Sequence, residues 1–315
     1  MALGSRLREW RLRRRMSQFD LAGDAGISTK HLSFLETGRS RPSRHMLLHL
    51  AACLDVPLRE RNVLLEAAGY SPVFAEHRFG ETPLAGIRAN VGAVLAASLP
   101  NPAAALDRHW TMLAANHGLA HVVQGAEASL LRPPVNLLRL LLHPAGLAPR
   151  IVNLAQWRGQ LIARLRRQID ASGDPVLIEL LEEIRDYPNA GMEDRGWNGT
   201  ATEQPAMLFR LATVDGELSF FTATTLFDGA LDITVAELAI LTFLPSDAET
   251  VRLMQRVAHP DELGQHPSAG LWLRPLGAAL SRSAPADVRT DVGADAGADT
   301  LVDTLVDTRM NKRAD

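Results

Sequence analysis

The chain has 315 residues, 46% hydrophobic and 22% charged, which is enough for two domains with separate cores. No run of about 18 apolar residues occurs, so the sequence predicts no membrane span, and the single Cys53 excludes an internal disulfide. The net charge of −3 hides an asymmetry: residues 1–72 hold 12 basic and 7 acidic side chains, the remainder 21 and 29. The N-terminal part is therefore the one expected to meet a polyanion.

The N-terminus is basic but lacks an apolar signal core, so a cytoplasmic location is expected. Residues 3–15 read as a helix with Leu3, Leu7, Trp10 and Leu12 inward and Arg6, Arg8, Arg13, Arg14 and Arg15 in water. From Met16 to Pro42 the sequence predicts two short helices joined by a tight turn. Ser17 caps the first, with Asp20 in the capping-box position. Gly26 makes the turn, a place for positive φ. Ser28 caps the second helix, whose inner stripe is Leu32 and Leu35. This is helix-turn-helix geometry. The outward side chains Thr29, Lys30, Ser33 and Thr37 are short and polar with one cation, which suits a major groove. The basic loop Arg39-Ser-Arg-Pro-Ser-Arg44 follows, where phosphates would lie.

A fourth helix over 43–55 presents Met46, Leu47, Leu50, Ala51 and Leu54, with Cys53 as a small core residue. Pro57 starts a fifth, packed through Leu58, Val63, Leu64 and Ala67 and ended by Gly69. Residues 1–70 thus make an all-α five-helix DNA-binding domain. Residues 71–84 read as a linker that could dock Val73, Phe74 and Phe79. A helix over 85–99 opens the second domain, 85–258. Short strands then flank Asp107-Arg-His-Trp110, followed by helices over 116–123, 136–143, 151–172 and 174–187. Residues 188–204 read as a loop. Strands over 206–214, 217–226 and 238–244 follow, the first two joined by an Asp215-Gly216 hairpin. A helix to about 258 ends the domain. Two strands, helices, then three antiparallel strands describe an α/β PAS-like domain, an antiparallel sheet covered by helices. In the tail, 259–315, Asp recurs every fourth residue from 287 to 307. That low-complexity run is expected to be disordered, with a marginal acidic-striped helix as the alternative.

Residues 4–70 resemble the phage-repressor (lambda-repressor-like) class of helix-turn-helix domains. More narrowly, I-S-x-x-H-L-S-x-x-E-T-G-R-S-x-P-S and P-L-R-E-R-N-x-L-L-x-A-A-G-Y are similar to MmyB-like bacterial transcription regulators. So are N-L-L-R-L-L-L-H-P-A-G-L-x-P-R-I-V-N and the segment from Gly216 to Asp247. The resemblance covers residues 4–258 and not the tail. It implies an ion pair between Arg11 and Glu36, the end of the recognition helix. Gln18 falls where family members anchor a phosphate, joined here by Arg39, Arg41 and Arg44. Ser28, Thr29, Lys30, Ser33 and Phe34 align with base readers. Lys30 can donate to guanine and Thr29 can meet a thymine methyl. Phe34 departs from a position that is polar in some repressors, which leaves the base code open there.

For the second domain the resemblance implies a small-molecule sensor for a fatty-acid-like ligand. A carboxylated ligand would want a cation and a few donors at a pocket mouth. Trp110, Asn116, Arg139, His143 and Arg150 lie in the motif-bearing segments and are the candidates. The apolar faces of 137–142, Phe220, Leu226 and Phe243 are either core or pocket lining. Catalytic motifs are absent, and His117 with His121 lacks a third metal ligand in sequence. No catalytic residue, metal or cofactor is therefore expected beyond the small-molecule effector. The leading expectation is a cytoplasmic homodimer that binds operator DNA and responds to a small apolar acid. The alternative keeps the DNA-binding domain and makes the C-terminal part a dimerisation or partner module with a solid core.

Overall fold

Five helices come first: α1 (Leu3–Arg13), α2 (Gln18–Asp24), α3 (Thr29–Glu36), α4 (Arg44–Cys53) and α5 (Leu58–Ala67). The computed structural model describes residues 3–188 and 208–257. Local chemistry sets the helix starts. Ser17 and Asp20 close a reciprocal capping box, Ser28 accepts from the His31 N–H, and Ser43 accepts from the Met46 N–H. Gly26 turns between α2 and α3 at φ 63°. Leu7, Leu21, Leu32, Leu35, Leu47, Leu50, Leu54, Leu64 and Leu65 are all but fully buried together beneath Trp10.

Two sequence expectations shift. Leu12 is 56% exposed, while Arg11, one residue earlier, takes the inner position. A guanidinium can be buried there because Glu36 meets it, and its aliphatic stem packs like an apolar side chain. On α5 the buried set is Leu64, Leu65 and Ala68, whereas Ala67 faces water and Val63 is half-buried. At the other end of α1, Gly4 lies so close to the Glu36 carbonyl that a Cβ would collide with it.

Residues 71–84 are held rather than free. Asn62 accepts from the Val73 and Phe74 N–H groups and donates to the Phe74 carbonyl. A short 3₁₀ turn, Thr82–Leu84, then leads into α6 (Ala85–Ala97). The second domain continues with β1 (Ala103–Leu106), β2 (Met112–Ala115), α7 (His117–Val122), α8 (Leu137–Leu142), α9 (Leu154–Ser172) and α10 (Pro175–Asp186). It closes with β3 (Phe209–Thr213), β4 (Gly216–Leu226), α11 (Ile233–Ala236), β5 (Ala239–Pro245) and α12 (Ala248–Val257). The sheet order is β2-β1-β5-β4-β3, with every neighbouring pair antiparallel.

Leu218, Phe220, Leu241, Phe243, Phe209 and Leu211 form one face of the sheet and pack under α8, α9 and α10. On the other face Ala103, Ala105 and Ile240 pack with Val91 and Leu95 of α6. β1 is covered on both sides, which explains its small, wholly buried Ala-Ala-Ala-Leu sequence. The β3–β4 hairpin turns one residue earlier than its Asp-Gly signal suggests: Thr213 pairs with Gly216, leaving Val214-Asp215 as the loop. The short α11 is an addition to the sequence reading, nucleated by Asp232, whose carboxylate accepts from Thr234 and Val235. The tail from 259 lies outside the described residues, as does most of the 188–204 loop.

The two domains are clasped. Arg59 of α5 donates Nε to Glu237 Oε1 at 3.0 Å and Nη2 to Oε2 at 2.9 Å, and it also grips both oxygens of Glu76. Beside it the Ile233 N–H donates to the Ala75 carbonyl, and Thr234 Oγ1 donates to the His77 carbonyl. His77 Nδ1 lies 2.7 Å from Asp232 Oδ2. Glu237 reaches on to Arg108 at 3.7 Å, and Arg108 and His109 both meet Asp174, where α10 begins.

Candidate functional site

α3 is fixed from below by its last residue. The Arg11 Nε and Nη2 donate to the two Glu36 oxygens at 2.7 and 2.9 Å, and Nη1 donates to the Met16 carbonyl at 2.8 Å. Gln18 Nε2 adds a bond to Glu36 Oε2 at 2.8 Å. One carboxylate thereby ties α1, the start of α2 and the end of α3, which fixes the angle between the helices of the turn. Burial alone would raise the Glu36 carboxyl, but the bonds from Arg11 and Gln18 outweigh it and hold it below its ordinary range. The same contact raises Arg11. The bidentate geometry is the strong form of this pair.

With Leu32, Leu35 and Glu36 facing in, α3 presents Thr29 and Lys30 to water, with Ser33 and Phe34 half-covered. Ser28 is occupied as the cap. Phe34 is flanked by cations: Lys30 Nζ stands 5.8 Å from its ring centre, and the Arg39 guanidinium 6.0 Å. Lys30, Phe34 and Arg39 therefore form one cluster on the outer surface.

The expected phosphate contacts separate. Arg39 is exposed. Arg44 stands at the start of α4 and donates to the Ser71 carbonyl at 3.3 Å. Arg41 is exposed too, but it donates to the Ala68 carbonyl and stacks over Tyr70 at 5.4 Å. Gln18 uses one of its two amide N–H groups on Glu36, which pins its side chain beneath α3, and its backbone N–H lies in the first turn of α2. Phe19, next to it, was not foreseen; it is 78% exposed. Its signal was an aromatic outside the Leu21–Ala22 stripe.

In the second domain Arg139 and His143, one helical turn apart, both meet the Glu183–Tyr187 pair, whereas Trp110, Asn116 and Arg150 have separate partners; no side-chain hydrogen bond joins any two of the five among the described residues. Trp110 is 2% exposed and donates Nε1 to Gln168. Asn116 uses all four of its hydrogen-bonding positions, accepting from Ala103 and Leu119 and donating to Leu95 and Asn101. It is a cap and strand tie. Arg139 pairs with Glu183 at 2.7 Å. His143 accepts from the Ala145 N–H and meets the Tyr187 ring edge-on. Arg150 donates to the Val122 carbonyl, and burial lowers its pKa. Among the described residues no group of three or more His, Cys, Asp or Glu is placed to hold a metal, and no helix is long and apolar enough to cross a membrane.

Comparison with known families gives two matches. The model of the MmyB-like transcription regulator ligand binding domain matches residues 87–257, and a helix-turn-helix domain model matches residues 2–64. The search of curated proteins returned no match.

Proposed function

The chain belongs to the MmyB-like transcription regulators, and from that premise we propose that it is a cytoplasmic homodimer whose operator affinity is set by a fatty-acid-like ligand. A helix-turn-helix DNA-binding domain and a ligand-binding domain in one chain make a ligand-responsive regulator. In the finer reading, α3 lies in the major groove with Thr29, Lys30, Ser33 and Phe34 toward base edges and Ser28 at the helix start. The Gln18 backbone N–H, Arg39 and Arg44 hold phosphates, which position the helix without reading sequence. One such helix reads few base pairs, so two protomers on a pseudo-palindrome supply the rest.

The observation that carries the regulatory half is the Arg59 clasp. An arginine of the five-helix domain grips Glu237 at the edge of the sheet domain, so movement there reaches the helices that hold α3. A ligand shifts the equilibrium only by binding two arrangements of this clasp unequally.

The test is binding of the full protein to DNA upstream of its own and the adjacent gene, titrated in salt, with and without a long-chain fatty acid. Tight, salt-sensitive binding that the acid alters supports both halves. A second reading, in which the sheet domain is a dimerisation module with a solid core, is favoured by Phe209, Phe220 and Phe243, each at most 1% exposed. Specific DNA binding indifferent to the acid would support that reading.

A further inference from the structure

Phe34 is the one aromatic residue of α3. Leu32 and Leu35 of the same helix enter the core of the five-helix domain, but Phe34 does not pack against that core. Its ring stands among cations instead. Lys30 Nζ, one helical turn earlier, is 5.8 Å from the ring centre, and the Arg39 guanidinium is 6.0 Å from it. Both cations are exposed, and among the described residues neither has a carboxylate within ion-pair reach. The outer surface of α3 thus carries an apolar spot between two free positive charges, beside the short polar Thr29 and Ser33.

A phenyl ring neither donates nor accepts a conventional hydrogen bond. Pressed against a base-pair edge, it strips water from ring nitrogens, carbonyl oxygens and exocyclic amines and replaces none of their bonds, which is unfavourable. The one group on the major-groove edges that it complements is the C5-methyl of a pyrimidine. The flanking cations set the spot in a positive field, which favours a phosphate-lined groove over an apolar protein face. Lys30 and Phe34 are separated by about 6 Å along the helix axis. Base pairs are spaced at about 3.4 Å. A guanine met by Lys30 and a methyl met by Phe34 therefore fall within about two base pairs of each other.

We propose that Phe34 makes operator recognition depend on a pyrimidine C5-methyl group beside the guanine read by Lys30, so that 5-methylcytosine serves in place of thymine and unmodified cytosine does not. The proposal rests on the reading of α3 as the groove helix and deepens it. It fills the position at which the sequence leaves the base code open, and it makes the protein responsive to C5-methylation of cytosine in its operator.

The test uses the full chain and the duplexes that it selects from a random library, with affinity read by fluorescence anisotropy. In a selected duplex each thymine is replaced in turn by uracil, which removes the methyl and nothing else. One such replacement should weaken binding about fourfold, the worth of one buried methyl group. It should lie beside a guanine whose selection Lys30→Ala relaxes. Cytosine at that position should bind more weakly than thymine, and 5-methylcytosine should recover about fourfold. Phe34→Ala should bind the thymine and uracil duplexes alike, whereas Phe34→Leu, still apolar, should keep part of the difference. Thermal melting establishes that each variant is folded. Undiminished affinity with uracil at every position overturns the proposal. A uracil penalty that persists in folded Phe34→Ala gives the methyl to another residue and also overturns it. No gain on methylating the cytosine overturns the exchange of the two bases. Selection of no sequence at all overturns the operator reading itself, a failure distinct from the other three.

Discussion

Arg59 and Glu237 stand 178 residues apart in sequence and meet through two parallel hydrogen bonds across the boundary between the domains. Each side chain is about four-fifths buried, and Glu76 holds the same guanidinium from the linking segment. If this clasp transmits the ligand's effect, Glu237→Gln should bring the ratio of operator affinities with and without ligand towards one. Both domains should remain folded. A double-mutant cycle with Arg59→Gln should give a coupling of about 1 kcal/mol, the upper range for pairs still reached by water. Fluorescence anisotropy on operator DNA reads the ratio, and an unchanged ligand response in Glu237→Gln would sink the idea.

The Arg11–Glu36 pair predicts a different outcome. Arg11→Ala leaves a buried carboxylate unpaired and should cost about 3–5 kcal/mol of stability in the five-helix domain, whereas the Met–Met double replacement should cost far less. Its pH dependence follows from the lowered Glu36 carboxyl. The pair's stabilisation is complete above the ordinary carboxylate value of about 4.3 and is lost as pH falls through the lower folded value. Urea midpoints measured downwards from neutral pH should show this acid-side loss in the wild type and a smaller loss in Glu36→Gln.

At the outer surface the cations should divide by role. Lys30→Ala should erase about 1–3 kcal/mol of discrimination between cognate and mismatched operator. Arg39→Ala should weaken every sequence alike and reduce the salt slope by about one. Arg41→Ala should instead lower the melting temperature, since Arg41 is bound to the Ala68 carbonyl and Tyr70. Salt-titrated binding on cognate and random duplexes, paired with thermal melts, separates the three; a loss of specificity on Arg39→Ala would contradict the assignment.

Asn116→Ala should destabilise the ligand-binding domain by about 2 kcal/mol or more, because four backbone groups lose their partner together. A melting curve without ligand checks this. A variant as stable as the wild type would return Asn116 to the candidates for ligand contact.

The helix pair was legible because its signals are local: a serine cap at each start, a glycine at the turn, and apolar residues one helical turn apart. Leu12 was misplaced because periodicity counts leucine as inward and arginine as outward. Only the presence of Glu36, 25 residues on, reverses that choice. The Val214-Asp215 loop differs from its Asp-Gly signal by one residue, since the cross-strand pairing of β3 and β4 fixes the register. Helix α11 spans four residues, too short for a periodic pattern. The contacts of α9 were hidden for a further reason. They join Gln168 to Trp110, 58 residues away, and Arg164 to Thr224, 60 residues away, and no spacing within a single element reports such a meeting.

Gly4 is buried at the start of α1, and its missing side chain sets how closely α1 approaches the end of α3. It acts as a gauge: the bare backbone admits the Glu36 carbonyl, and even one methyl group would act as a shim and tilt the helix above it. Operator affinity can therefore drift through a residue that no map of interface contacts would include, while every base-facing side chain stays the same. Variation at position 4 would look like a change of specificity with no visible author at the interface.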